Sequence, residues 1–375
     1  MREPNILLVF LLASVCGDCA ELILANQTAV PGQILVASLL FSSPGQAVSG
    51  IQFDMASDPA LSFGVLPGAE IGTSAKVLYT ATLPGGALRV VIIGINQGAL
   101  ADGELLRPVV SVDPSAAPGA AQIRIGNVLA TDPAGNAVTV PSASATVQIQ
   151  AGSFTQSFAA GGIINAASLF AGPISPGEIV TILGRTELSG ASAVLFNGAN
   201  APILYAGPGQ VNAIVPFGLD PSAPASLEIR TPNQSLGTAS SLPAAAVSPA
   251  LFAQGSIGTG PGAVLNQDYT VNSWSNPAPA GSYIMLYGTG FGALVPAAVD
   301  GKAATAQANT VIPVTATIGG IAAQVAYAGA APGLVAGVVQ INVQVPPGLP
   351  ASPAAPVLVS AGSVAGPAGV TVSTR

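Results

Sequence analysis

Few side chains in this sequence are able to do chemistry. Among its 375 residues there is no histidine, which removes Ser/His/Asp hydrolysis, imidazole acid–base work and most zinc sites. The two cysteines, Cys16 and Cys19, sit near the amino terminus; they build no Cys/His site, and no Gly-x-Ser-x-Gly elbow occurs. Carboxylates remain, since a glycosidase needs only two acids about 5 to 10 Å apart. The close pairs are Asp54 with Asp58 and Asp102 with Glu104. The first falls at a strand end and the turn after it, where Asp bonds local backbone. The second reads as a solvated turn before a strand starting at Leu105. Asp132 and Asn136 are calcium-ligand types, but a calcium ion wants six to eight oxygens and the segment holds too few acids, so a turn cap is expected. Gly258, Gly260 and Gly262 lack the lysine of a P-loop and open no helix; they read as an inter-module linker or hairpin loop. Catalytic, metal and cofactor sites are all expected to be absent.

If a ligand binds, the candidate residues are Tyr205, Gln210 and Asn212, their counterparts Tyr327, Gln340 and Asn342, and the single Trp274. Aromatic rings stack on sugar faces and amides bond hydroxyls. A structural reading competes and is the stronger: Gln and Asn alternate with Val and Ile, placing them on the outward or cross-sheet face of one strand. Trp274 stands alone in a polar stretch, and one ring rarely makes a site.

The elements that position these residues follow from composition. Half of the chain is hydrophobic, 7% is charged, and there are 45 Gly and 33 Pro. Disordered chains are poor in Val, Ile and Leu, whereas this one is rich in them, so it folds. β-branched residues with frequent turn formers suit short strands and oppose helices. An all-β fold class of tandem β-sandwich modules is expected, and the length allows two or three domains.

The net charge is −7 with nine basic residues, scattered singly at positions such as Lys76, Arg89, Arg124, Arg230 and Lys302. Without a basic stripe no counterion release holds a phosphate backbone, so nucleic acid is not an expected partner; an anionic membrane surface is disfavoured for the same reason. At the amino terminus Arg2, the apolar run Ile6 to Val15 and the small residues before Glu21 read as a cleaved export signal, too short to span a bilayer. The mature chain is expected to hold no transmembrane segment and to be extracellular or on the outer cell surface. Lipid attachment at Cys16 or Cys19 is a poorer reading, because Ala13, Ser14 and Val15 match a lipoprotein box badly.

Four blocks emerge: 1–20 as signal peptide, 21–150, 151–250 and 251–375. In the second, apolar runs such as Gln33 to Phe41, Gly50 to Met55 and Leu88 to Ile95 are separated by turn clusters, as in an antiparallel sandwich. Its segments Val30-Pro31-Gly32-Gln33, Val48 to Asp54 followed by Asp58 to Leu61, Ala117-Pro118-Gly119 and Asn127 to Ala137 give it a resemblance to the cohesin family and its relatives in the carbohydrate-binding-module superfold. That resemblance implies a jelly-roll whose face holds a dockerin or a polysaccharide without an active site. The chain carries no duplicated calcium loop of dockerin type, so such a partner would be a separate protein.

The last two blocks repeat one another. Gln210, Asn212 and Pro216 recur as Gln340, Asn342 and Pro346 at a common offset, which indicates a duplicated immunoglobulin-like domain. Tyr205 to Pro216, Ser248 to Phe252 and the Gly288-Thr289-Gly290-Phe291-Gly292 string resemble the carboxy-terminal domain of exported proteins of Solibacter and other Acidobacteria, and the last string is similar to immunoglobulin-like IPT/TIG domains. Neither resemblance implies an activity. The expectation is a non-enzymatic secreted or cell-surface binding or adhesion protein, with a polysaccharide or extracellular protein as partner of the first module and the duplicated module as spacer or anchor. The alternative is a structural envelope or matrix component. Oligomeric state is not legible.

Overall fold

The computed structural model describes residues 19–375; residues 1–18 of the expected export signal, Cys16 among them, lie outside these. The protein is all-β, and its strands form six sheets among the described residues, two to each of three sandwiches. In the first module one sheet runs β1 (Glu21–Leu24), β4 (Leu39–Ser42), β9 (Gly103–Val112), β3 (Ile34–Val36), with β6 (Leu61–Pro67) also on β9. The facing sheet runs β2 (Gln27–Ala29), β12 (Ala143–Ile149), β10 (Gly119–Thr131), β5 (Gly50–Ser57), β8 (Leu88–Ile93), β7 (Val77–Thr82), with β11 (Ala137–Val138) on β10. A single helical turn, α1 (Ala69–Thr73), lies between β6 and β7. Phe41, Phe53, Met55, Ile92, Leu105 and Val147 close the core between these sheets, the two-residue period of each strand sending alternate side chains inward.

The second module packs β13 (Phe158–Asn165), β14 (Ile179–Gly184), β18 (Gln210–Ile214), β17 (Ile203–Gly207) against β16 (Ala199–Ala201), β15 (Ala193–Phe196), β19 (Ala225–Arg230), β20 (Ser235–Leu242). In the third, β21 (Ala250–Leu251), β24 (Tyr283–Thr289), β30 (Val339–Gln344), β29 (Val325–Ala330), β26 (Asn309–Thr310), β25 (Leu294–Val295), with β23 (Val264–Asn266) on β24, face β22 (Gly260–Pro261), β33 (Val370–Thr374), β31 (Ser352–Ala361), β27 (Val314–Ile318), β28 (Ile321–Ala323), with β32 (Val364–Ala365) on β31.

The repeat shows in the registers. Tyr205 opposes Asn212 just after a bulge at Ile203, and Tyr327 opposes Asn342 just after a bulge at Val325. The same turn also recurs in every module: Gln33 N–H donates to Val30 O, Glu178 N–H to Ser175 O and Ser282 N–H to Pro279 O, at 3.0 to 3.1 Å. In each the third residue is a glycine with φ between 72° and 82°, the left-handed position that such a turn requires.

The modules are not strung out as spacers. Arg107 of the first donates to Leu169 O of the second at 2.7 Å and lies over the Phe170 ring at 4.0 Å. Gly258 of the third abuts Ser168 O of the second, and Gly72 of the first abuts Ala368 O of the third, so closely that a Cβ would come within 2.7 and 2.4 Å of those oxygens. The glycine-rich segment at 258–262 belongs to a hairpin loop closed by the antiparallel Ala253–Gly262 pair, one of its two expected readings, and because Gly260 also abuts Val77 of the first module the loop is where three modules meet: bare backbone lets the surfaces approach.

Candidate functional site

The broad outer face of β10, β5, β8 and β7 carries exposed apolar side chains where a solvated sheet would be polar. In β5, Ile51, Phe53 and Met55 are buried, so Gln52, Asp54 and Ala56 point outward; in β8, Val90 and Ile92 are buried, leaving Arg89, Val91 and Ile93 outward. Register then aligns Leu129, Gln52, Val91 and Tyr79 in one row across four strands. Gly50, Ile93 and Val77 lie on one side of it; Gly126, Asp54, Arg89 and Ala81 lie on the other. Leu129 is 66% exposed, Tyr79 54% and Ile93 48%, apolar side chains presented on one face, as at a contact surface.

At its centre the polar groups are already satisfied. Asp54 accepts from Arg89 Nε at 2.7 Å, Arg89 Nη2 at 2.9 Å and Asn127 Nδ2 at 2.9 Å. The hydrogen bond from Arg89 is the main reason its carboxyl is held below the ordinary range. Asn127 reaches it from a bulge of β10 with φ 51°, and Asn tolerates that conformation better than most residues. Asp54 therefore sits inside strand β5, not at its end as expected, and both of its oxygens accept hydrogen bonds. Asp58 does occupy the following turn, accepting from Gln122 N–H at 2.9 Å and Arg124 Nη2 at 2.6 Å.

The other acids are similarly engaged. Asp102 accepts from Ser43 N–H at 2.8 Å. Glu104 accepts from Ser38 Oγ and lies 3.7 Å from Arg107 Nε; it belongs to β9, which begins at Gly103 rather than Leu105. Asp132 takes Ala134 N–H, Asn136 N–H and Asn136 Nδ2 at 2.8 to 2.9 Å, which is turn capping. A cavity of about 510 Å³ in the third module is walled by alanines with Lys302 and holds no carboxylate. A cleft of about 310 Å³ between the first two modules carries Asp113, Arg185 and Glu187. There Asp113 is tied to Ser115 and Arg185 to Glu187.

Of the residues singled out by sequence, each Tyr/Gln/Asn trio is brought together within its own copy, and Trp274 stands apart from both. Gln210 Nε2 donates to Asn212 Oδ1 at 2.7 Å and Gln340 Nε2 to Asn342 Oδ1 at 2.8 Å. In both copies the tyrosine folds back over the glycine two residues on: a Cβ on Gly207 or Gly329 would meet the Tyr205 or Tyr327 hydroxyl within 2.1 or 2.6 Å. Tyr327 Oη also donates to Ala330 O at 2.7 Å. These contacts explain the Tyr-x-Gly and Gln-x-Asn spacings by packing. Trp274 lies in a turn of the third module and is 80% exposed.

The outer-face residues Leu129, Val91, Ile93 and Tyr79 escape a reading of sequence alone. Leu88 to Ile95 reads as one apolar run, and only the alternation between Val90 and Val91, fixed by pairing, shows that half of it faces out.

No family model matches the sequence, and no curated protein matches it. Among solved structures, a type I cohesin–dockerin complex from Clostridium thermocellum is 16% identical over 36% of this chain and 100% of that one, with TM-score 0.32. A non-cellulosomal cohesin from Archaeoglobus fulgidus is 18% identical over 36% and 92%, TM-score 0.30. A cohesin from Clostridium acetobutylicum is 14% identical over 36% and 92%, TM-score 0.32.

Proposed function

We propose that the chain is a non-enzymatic, exported binding protein whose first module holds a protein partner on the outer face of β10, β5, β8 and β7. The observation that carries this reading is the row Leu129, Gln52, Val91, Tyr79 beside an ion pair that is neutralised within the face. Aliphatic side chains with one tyrosine suit the apolar core of a protein interface, and a preformed pair adds no unpaired charge when water leaves. A polysaccharide fits this face less well, because only Tyr79 offers a ring. Export rests on the apolar amino-terminal run, and the lack of turnover on the engagement of each acid singled out above.

The test is capture from the extracellular protein fraction of the producing organism with immobilised full-length chain. Leu129→Asp and Tyr79→Asp place charge on exposed positions, so their melting curves match that of the parent, yet retention of a specific partner falls at least tenfold, equivalent to about 1.4 kcal/mol. Equal retention by parent and variants refutes the assignment. Concentration-dependent self-assembly with no partner retained assigns the face to a structural role instead.

A further inference from the structure

The duplication places one loop in two settings. In the second module the loop after β13 turns with Asn165 N–H donating to Phe170 O and Leu169 at φ 61°. In the third the loop after β23 turns likewise, with Asn266 N–H donating to Thr270 O and Tyr269 at φ 65°. The first of these loops is occupied: Leu169 O and the Phe170 ring hold Arg107 of the first module. Its counterpart faces solvent, with Tyr269 75% exposed and Val271 and Trp274 also exposed.

This open loop is braced, not loose. Asn272 is buried, donating to Asn266 Oδ1 and Ser373 O at 2.9 Å and accepting from Ser373 N–H at 2.8 Å. Asn276 Nδ2 donates to Thr270 Oγ1 at 2.7 Å and Val271 O at 3.1 Å. The loop's one charged side chain, Asp268, is turned onto Thr270. Bracing with neutral amides fixes the loop backbone before any ligand arrives, which lowers the entropy cost of binding.

The adjoining sheet face has the same chemistry. Ile284 and Leu286 of β24 point into the core, so Tyr283 and Tyr287 point outward; on β30 the outward residues are Gln340, Asn342 and Gln344. The loop adjoins this face directly, since Asn266 pairs with Ile284 of β24 and Gln267 Oε1 accepts from Tyr283 N–H at 3.1 Å. Tyr269, Tyr283 and Tyr287 are three of the six tyrosines of the chain, and Trp274 is its one tryptophan.

We infer that the 266–276 loop and the adjoining outer face of β24 form a second binding site, separate from the first-module face, for an uncharged glycan chain. Exposed rings offer flat apolar surface to pyranose faces, and no basic side chain on the loop offers a partner to an anionic headgroup.

Affinity electrophoresis tests this with full-length chain in native gels containing hydroxyethyl cellulose, galactomannan or dextran. At least one of these polymers retards the parent, and Trp274→Ala and Tyr269→Ala lower the apparent affinity at least tenfold with unchanged melting, while Leu129→Asp is retarded like the parent. Parent mobility unaffected by all three polymers, or equal retardation of parent and ring variants, overturns the site. Trp274-dependent co-sedimentation with phosphatidylcholine vesicles overturns it as well, in favour of lipid.

Discussion

Replacing Gly290 by alanine destabilises the third module by more than about 3 kcal/mol, because strain and collision add at one residue. Gly290 has φ +81°, and a Cβ there would lie 1.9 Å from Ser248 O. Its neighbours are equally confined: a Cβ on Gly288 would come within 2.4 Å of Ala250 O and one on Gly292 within 2.4 Å of Ala246 O. The segment entering the third module thus lies directly on the Gly-Thr-Gly-Phe-Gly string. Between the glycines, Thr289 Oγ1 accepts from Ile179 N–H of the second module at 2.8 Å and donates to Gly337 O at 2.8 Å. The string is the seam between the two copies. Gly320→Ala is the control, since Gly320 has φ +78° but open space around its Cα; it carries the left-handed strain alone, about 1 to 2 kcal/mol. Scanning calorimetry resolves the transitions, which a multi-module chain need not merge into one. Equal effects of the two substitutions would show that the seam is not tightly packed.

Stability of the second module falls as pH rises from about 5 to about 8, by several kcal/mol in order of magnitude. The cause is Glu178, buried beneath the start of β14, whose carboxyl is pushed from 4.5 up to about 8 chiefly by burial, against hydrogen bonds from Ser175 and Asn165. Folding takes up a proton that the unfolded chain has released, so the folded state is favoured below the unfolded value and loses ground as pH rises, levelling off above the folded one. Asn165 Nδ2 donates to Glu178 Oε1 at 2.9 Å, while Ser175 N–H and Oγ donate to Oε2 at 2.8 and 3.1 Å. No charged side chain is among these partners. With no histidine in the chain, no side chain of ordinary pKa titrates across this window. Glu70, raised by burial and by Asp102, acts in the same direction but in the first module. Glu178→Gln flattens the slope of the second module. It also lowers stability at pH 5 by about 1 to 3 kcal/mol, because an amide nitrogen must then face either Asn165 Nδ2 or Ser175 N–H. Urea titrations at pH 5, 6.5 and 8 measure both effects; an unchanged slope in the variant contradicts the assignment to Glu178.

What the sequence discloses and what it hides divide along physical lines. Val, Ile and Thr between Pro-Gly turns dictate strands locally, so the all-β class is legible residue by residue. The Gln-x-Asn-x-x-x-Pro recurrence is legible because both copies use it to brace one strand against the bulged Tyr strand. Contacts between modules are not legible: Gly258 resembles any loop glycine until Ser168 O is seen above it. Asp54 shows the same limit. Its place in the alternation puts it on the outer face, but only pairing with β8 brings Arg89 beside it.

The central claim is that paired strands, through one exposed sheet face, account for recognition by the first module. Hydrogen exchange of the full-length chain with and without its captured protein partner tests this most directly. Protection concentrated in 50–56, 77–82, 88–95 and 124–131, and lost with Leu129→Asp, is the result expected. Protection on the opposite sheet around 34–42 and 103–112, or only in the later modules, contradicts it.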